Sequence, residues 1–153
     1  MPSNARLVDE FHRASGTEDP AAPSVPRDEV LKLRERLISE EHEEVLEALS
    51  RLRARRMEPD REEAPEELAH LVHELADLLY VTYGTLLACG VDPDGVFREL
   101  HRANMHKVRG PRREDGKQMK PPGWEPADMR AEISRQSNQR DHRSGGTGGA
   151  PED

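Results

Sequence analysis

Two stretches of this chain place carboxylates where a helix would bury them. In SEEHEEVLEAL, residues 39–49, the acids are Glu40, Glu41, Glu43, Glu44 and Glu47. In LVHELADLLYV, residues 71–81, Glu74 and Asp77 interrupt a run that is apolar on nearly every side. Residues three apart on a helix share a face, so Glu74 and Asp77 point the same way. Burying one unpaired carboxylate is costly, and a second beside it adds repulsion. A helical projection from Val30 centres Leu33, Leu37, Ile38, Val45 and Leu49 at about 40°, with Glu41 at about 20° and Glu44 at about 320°. Glu40 falls on the sector's edge, while Glu43 and Glu47 face solvent. The core-facing stripe of each helix therefore turns acidic for one turn and then returns to apolar. Two such turns facing each other would gather four or five carboxylates, which could not all ionise without cations. Oxygen-only ligands favour Mg²⁺ or Mn²⁺, and an incomplete protein shell suits Mg²⁺ holding a substrate phosphate.

Other groups compete for the chemistry. His70 and Glu74, and His73 and Asp77, are each four apart, which would allow a mixed histidine–carboxylate di-metal site. Their order is not the Glu-x-x-His spacing of di-iron carboxylate helices. These histidines, with His42, read better as hydrogen-bonded packing residues or as supports for the ligands than as ligands themselves. VDPDG, residues 91–95, resembles the start of a calcium loop but lacks its later ligands, so Asp92 or Asp94 is read as a helix cap. GGTGGA, residues 145–150, has the glycines of a phosphate loop without its strand or its Gly-Lys-Ser/Thr, and is set aside. The densest basic segment, HRANMHKVRGPRR, supplies Arg102, Asn104, Lys107, Arg109, Arg112 and Arg113. Lys117, Lys120 and the lone Trp124 follow on a glycine- and proline-rich loop. Cations and an amide donor beside a metal-filled pocket are what a triphosphate and its sugar or base require.

The elements that must position these groups are helical. The chain has 153 residues, 33% hydrophobic and 35% charged, enough for one domain, so the apolar content must be concentrated. The pattern predicts helices over Asn4 to Ala14, Pro26–Asp28 to Met57, Ala64 to a glycine cap at Gly90, and Gly95 to Val108. A weaker fifth spans Ala127 to Ser134. Residues 1–134 form the expected domain, and the polar tail 135–153 is expected to be disordered. The third helix is apolar all round and must be enclosed, which one chain with two long helices does not achieve. The expected architecture is therefore an all-α bundle whose core a second copy completes.

A net charge of −8 and scarce aromatics argue against a nucleic-acid binder. One cysteine, Cys89, excludes an internal disulfide and a cysteine zinc site. Acids and histidines at the centre of the long apolar run argue against a membrane span, and MPSNARLVDEF has no signal-peptide core. A cytoplasmic setting is the expectation.

The combination resembles the MazG-like all-α nucleoside triphosphate pyrophosphohydrolases, and most of all their dUTPase type. Three blocks carry the resemblance: Glu40, Glu41 and Glu44 as Glu-Glu-x-x-Glu, Glu74 and Asp77 as Glu-x-x-Asp, and Asn104 with Lys107 in HRANMHK. EFHRASG, HELADLLYVTYG and GPRREDGKQMKPPGW extend it over about residues 5–130. It implies hydrolysis between the α and β phosphorus of a nucleoside triphosphate, dUTP foremost, for cleaning the nucleotide pool. Another or damaged nucleotide, phosphoribosyl-ATP, or a non-catalytic dimeric helical module are the alternatives. It further implies Glu41, Glu44, Glu74 and Asp77 as ligands of two or more Mg²⁺ or Mn²⁺ ions, with Glu40 or Glu41 activating water. Asn104 and Lys107 are implied as substrate contacts, with Arg112, Lys117 and Lys120 as weaker carry-overs. A homodimer or a dimer of dimers is the implied assembly.

Overall fold

A computed structural model describes residues 1–57 and 65–144. Its five helices are α1 (Asn4–Ala14), α2 (Asp28–Arg55), α3 (Pro65–Ala88), α4 (Pro93–Lys107) and α5 (Met129–Ser144). The chain is all-α: the one β-type feature among the described residues is an isolated bridge between Arg112 and Gln118. No single helix among them is long and apolar enough to cross a membrane. The sequence's expected α2 end, Met57, lies two residues beyond the helix, and the expected α3 start at Ala64 lies outside the described residues. So do GGTGGA and the end of the chain.

By internal packing the chain divides into two units. The first comprises Met1–Asp19 and Val25–Ala88 and contains α1, α2 and α3. Ser3 caps α1 through its hydroxyl, and Asp28 and Glu29 put negative charge in the first turn of α2. α3 packs along α2 and also receives α1. The contacts between α2 and α3 run in opposite directions along the two helices: Arg55 meets Glu67, Arg51 meets His70, and Arg34 lies beside Gly84. They therefore form an antiparallel hairpin. With α1 against it, the buried apolar residues of this unit are Ala5, Val8, Val45, Ala48, Leu71 and Ala88.

One end of this hairpin is polar inside. His12 is buried, its Nδ1 2.6 Å from Asp19 Oδ2 and its Nε2 3.4 Å from Arg34 Nη2. Arginine only donates, so Nε2 accepts and Nδ1 carries the proton that goes to Asp19. Gly84 makes the room: a Cβ there would stand 3.0 Å from both Arg34 Nη1 and His12 Nε2.

The third helix buries only part of its apolar surface among the described residues. Leu68, Val72 and Leu79 are more than half exposed, and Leu75 is 42% exposed. On α2, Leu33 and Leu49, assigned by periodicity to the core face, are also exposed.

The second unit comprises Pro20–Ser24 and Cys89–Asp153 and contains α4 and α5. Gly90 has φ of +66°, and a Cβ on it would collide with the backbone carbonyl of Ala22, so glycine is required there twice over. Asp92 caps α4 by accepting from the Asp94 N–H, and Pro93 occupies the first turn. The helix thus starts two residues earlier than periodicity placed it.

The break expected at Ser134 falls inside α5, and residues 135–144 are helical rather than disordered. Composition misled because this helix is held by polar contacts instead of an apolar stripe. Gln136 is buried and brackets Asp92: its Oε1 accepts from the Asp92 N–H at 2.7 Å and its Nε2 donates to the Asp92 carbonyl at 3.2 Å. Glu132 pairs with Arg135 one turn away. Glu99 on α4 accepts from Arg102 twice and from the Asp128 N–H just before α5.

Replacing Gln136 by alanine leaves the half-buried Asp92 N–H without its side-chain acceptor, and should destabilise the chain by about 1–3 kcal/mol. Denaturant unfolding measures the loss, and hydrogen exchange in residues 129–139 should rise with it. The Arg102 and Asp128 contacts hold the Glu99 carboxyl down at about 2, below its ordinary 4.5. Its contribution is therefore full above pH 4.5 and is lost as pH falls through about 2. Glu99→Gln should flatten the acid limb of a stability–pH curve, leaving neutral-pH helicity by circular dichroism in place.

Candidate metal centre

Because α2 and α3 run antiparallel in this register, their acidic turns arrive at the same level. One carboxylate oxygen each from Glu41, Glu44 and Glu74 lies within 4.8 Å of the others. Glu74 is buried, Glu41 half-buried and Glu44 exposed, so the group opens from the helix interface to the surface. Projection put Glu44 within the core-facing sector; the residue is exposed, yet one of its carboxylate oxygens joins the group. Asp77 stands one turn along α3, close enough for its charge to act on Glu41. Glu40 is exposed and stands outside the three-acid group. Glu43 and Glu47 are exposed, as projection expected, and Glu47 accepts from Arg51 at 2.6 Å.

The electrostatics record the crowding. The Glu41 carboxyl is raised above its ordinary 4.5, first by burial and then by the charges of Glu44, Asp77 and Glu74. Histidines brace the α3 acids. His70 Nδ1 lies 3.0 Å from Glu74 Oε1, and His73 Nε2 lies 3.2 Å from Asp77 Oδ2. A long 3.5 Å contact from Arg51 to His70 Nε2 leaves Nδ1 as the protonated nitrogen, aimed at Glu74. The second Glu74 oxygen needs no part in that bond. The histidines thus act as hydrogen-bonding partners, and the three converging ligands are all carboxylates.

That donor set fits a hard divalent cation. Oxygen ligands of Mg²⁺ sit about 2.1 Å from the ion and so at most about 4.2 Å apart, which side-chain rotation alone can reach from a 4.8 Å cluster. Three carboxylates carry more negative charge than one divalent ion neutralises, so the set tolerates a second.

The basic residues singled out in sequence lie in the other unit, where two of them, Lys107 and Lys120, meet. Lys107 Nζ donates to Asn104 Oδ1 at 2.8 Å, and both Lys107 and Lys120 place their ammonium groups over the Trp124 ring. Arg112 and Lys117 instead flank an exposed turn closed by the Arg113 N–H to the Lys117 carbonyl, with Gly116 at φ of +86°. Arg113 itself is committed to Asp115. Arg102, Met105 and Arg109, spaced three and four residues apart, line a shallow concavity of about 450 Å³ with His106 and Val108.

Sequence reasoning missed the buried Asp19–His12–Arg34 contact, which joins residues up to 22 positions apart, as well as the Gln136 anchor. It noted Trp124, Lys107 and Lys120, but not that the two lysines meet over the tryptophan ring.

Repulsion in the three-acid group sets a sign. With its proton affinity raised, Glu41 contributes stability that is complete below pH 4.5 and is lost as pH rises through its raised folded value. At neutral pH, Glu41→Gln should therefore raise the melting temperature of the metal-free chain. Mg²⁺ or Mn²⁺ at a hundred times its dissociation constant should stabilise the native chain by about 2.7 kcal/mol and the variant by less. Differential scanning calorimetry with and without chelator reads both effects.

No curated protein matches the chain. Residues 8–104 match the phosphoribosyl-ATP pyrophosphohydrolase family, a span that includes both acidic turns and ends at Asn104. That family acts as a hydrolase at a nucleotide phosphoanhydride, in keeping with an oxygen-lined cluster on an all-α hairpin. The chain belongs to the phosphoribosyl-ATP pyrophosphohydrolase family, within the MazG-like all-α nucleoside triphosphate pyrophosphohydrolases.

Proposed function

We propose that the chain hydrolyses a nucleoside triphosphate between its α and β phosphorus, releasing monophosphate and pyrophosphate, with dUTP as the leading substrate. The observation that carries this reading is the convergence of Glu41, Glu44 and Glu74 from two helices in a chain of this family. Preference for dUTP rests on resemblance to the dUTPase type, through EFHRASG, HELADLLYVTYG and GPRREDGKQMKPPGW.

Glu41, Glu44, Glu74 and Asp77 are the proposed holders of Mg²⁺ or Mn²⁺, two or more per site. Bound there, such ions supply charge neutralisation for the phosphates and acidify water. The residues do the rest. Glu40 or Glu41 takes the proton of the attacking water; the proton affinity of Glu41 is raised by its burial and its acidic neighbours. His70 keeps Glu74 oriented, and His73 does the same for Asp77. Asn104 and Lys107 contact the substrate, with Arg112, Lys117 and Lys120 as additional phosphate contacts. The assembly proposed is a homodimer or a dimer of dimers, since the exposed leucines and valine of α3 call for cover. Such an enzyme would clean the nucleotide pool of the cytoplasm.

The test is pyrophosphate release from a panel of ribo- and deoxyribonucleoside triphosphates and phosphoribosyl-ATP, with Mg²⁺ or Mn²⁺. Selective release from dUTP is expected. Release chiefly from phosphoribosyl-ATP or a damaged nucleotide would move the substrate within the family's chemistry, and no release from any would leave a dimeric helical module. Glu74→Ala should lower turnover by at least the roughly 10²–10³-fold that losing one transition-state-stabilising group costs, with helicity unchanged. Near-normal, metal-dependent turnover in that variant would sink the assignment.

A further inference from the structure

The lone tryptophan lies beyond the span that matches the family, and its surroundings are unlike those of a core residue. It is half-buried, and its indole N–H donates to the carbonyl of Ala103 on α4 at 2.9 Å. The Trp124 N–H closes a turn onto the Pro121 carbonyl, with Gly123 between them at φ of +72°. Ring orientation is thus set by one side-chain bond and one tight turn. Lys107 Nζ lies 5.2 Å from the ring centroid and Lys120 Nζ 4.2 Å from it.

Aromatic faces attract cations, which accounts for each contact singly. It does not account for both, because two ammonium groups drawn to one ring repel each other. Carboxylates would relieve that repulsion, yet among the described residues neither lysine is ion-paired with one. The Lys107 partner is the neutral Asn104 amide oxygen, at 2.8 Å. Two cations collected on a neutral ring, one steadied by a neutral amide, leave positive charge for an anion to satisfy. Several oxygens on linked phosphates can engage both ammonium groups at once, as a single carboxylate cannot. With the ring under two lysines and its N–H committed to Ala103, Trp124 is poorly placed to stack on a nucleobase.

We propose that Trp124 is a positioning residue that gathers Lys107 and Lys120 into one site for a pyrophosphate-type anion, which in the reaction would be the polyphosphate part of the nucleotide. The assignment to substrate rests on the proposed function. The anion site itself does not, and the two separate experimentally.

Because the chain has one tryptophan, its fluorescence reports this site directly. The full-length protein is titrated with inorganic pyrophosphate, without nucleotide or divalent cation, at low ionic strength. A saturable change in emission is expected, and Lys107→Ala and Lys120→Ala should each weaken it about tenfold as the ammonium–ring arrangement loses a member. Trp124→Leu, followed by calorimetry, should weaken pyrophosphate binding comparably, and Trp124→Phe should recover much of it because a ring is restored. With a turned-over nucleotide, Trp124→Leu should raise KM more than it lowers kcat. If Trp124→Leu binds pyrophosphate as tightly as the native chain, the ring only docks its loop and the proposal falls. Should that variant fail to fold, the two lysine variants decide: native-like emission titrations in both overturn the site. Pyrophosphate binding without turnover of any nucleotide would overturn the proposed function and leave this site standing. Turnover without a pyrophosphate response would do the reverse.

Discussion

Mutual repulsion among Glu41, Glu44 and Glu74 is the constraint around which the α2–α3 hairpin is built. Three carboxylate oxygens within 4.8 Å would separate if the helices were free to slide or roll. They are held by packing on both sides of the acidic level. Val45, Ala48 and Leu71 are buried on one side, and the Arg34, His12 and Gly84 contacts lie on the other. Burial and the neighbouring charges of Glu44, Asp77 and Glu74 raise the proton affinity of Glu41 in this setting. A cation placed there converts the same closeness from repulsion into ligation, which is why a strained arrangement can also be a useful one.

Orientation is handled by groups around the acids. Two histidines, each one turn before the acid it serves, direct a nitrogen at Glu74 and Asp77, and Arg51 ties the first of them back to Glu47 on α2. The network spans both helices, so rotation of either would break a bond as well as disturb packing. The second unit uses similar means for a different end. Gln136 and Glu99 tie α5 and its approach to α4 by hydrogen bonds to backbone groups, where a helix with so few apolar residues could not rely on burial.

The fold was largely readable because its signals are local. Ser3, Asp28 and Asp92 sit at helix starts, and Gly90 follows a helix end, so α1 was placed from Asn4 to Ala14 and the starts of α2 and α4 within two residues. Where stabilisation is not local the reading fell short. Residues 135–144 have the composition of a solvated tail, yet Gln136 bonds to a residue 44 positions away. His12 drew no reading from the sequence, and only the fold brings Asp19, Arg34 and Gly84 around it. A buried polar side chain is recognisable only through its partners, and partners distant in sequence leave no periodic trace.

By itself the sequence determined which acids share a helix face, since 3.6 residues per turn is a property of the backbone and needs no neighbour. It placed Glu41 beside Glu44 and Glu74 beside Asp77, and it marked α3 as too apolar to stand uncovered. Tertiary structure alone decided the level at which the helices meet, because that depends on side chains interlocking across the α2–α3 interface. That register joined Glu74 to Glu41 and Glu44, left Glu40 outside, and gave Glu41 its altered proton affinity. Lys107 and Lys120, in turn, became neighbours only when the chain folded back to seat Trp124 against Ala103, a placement that spacing along one helix does not encode.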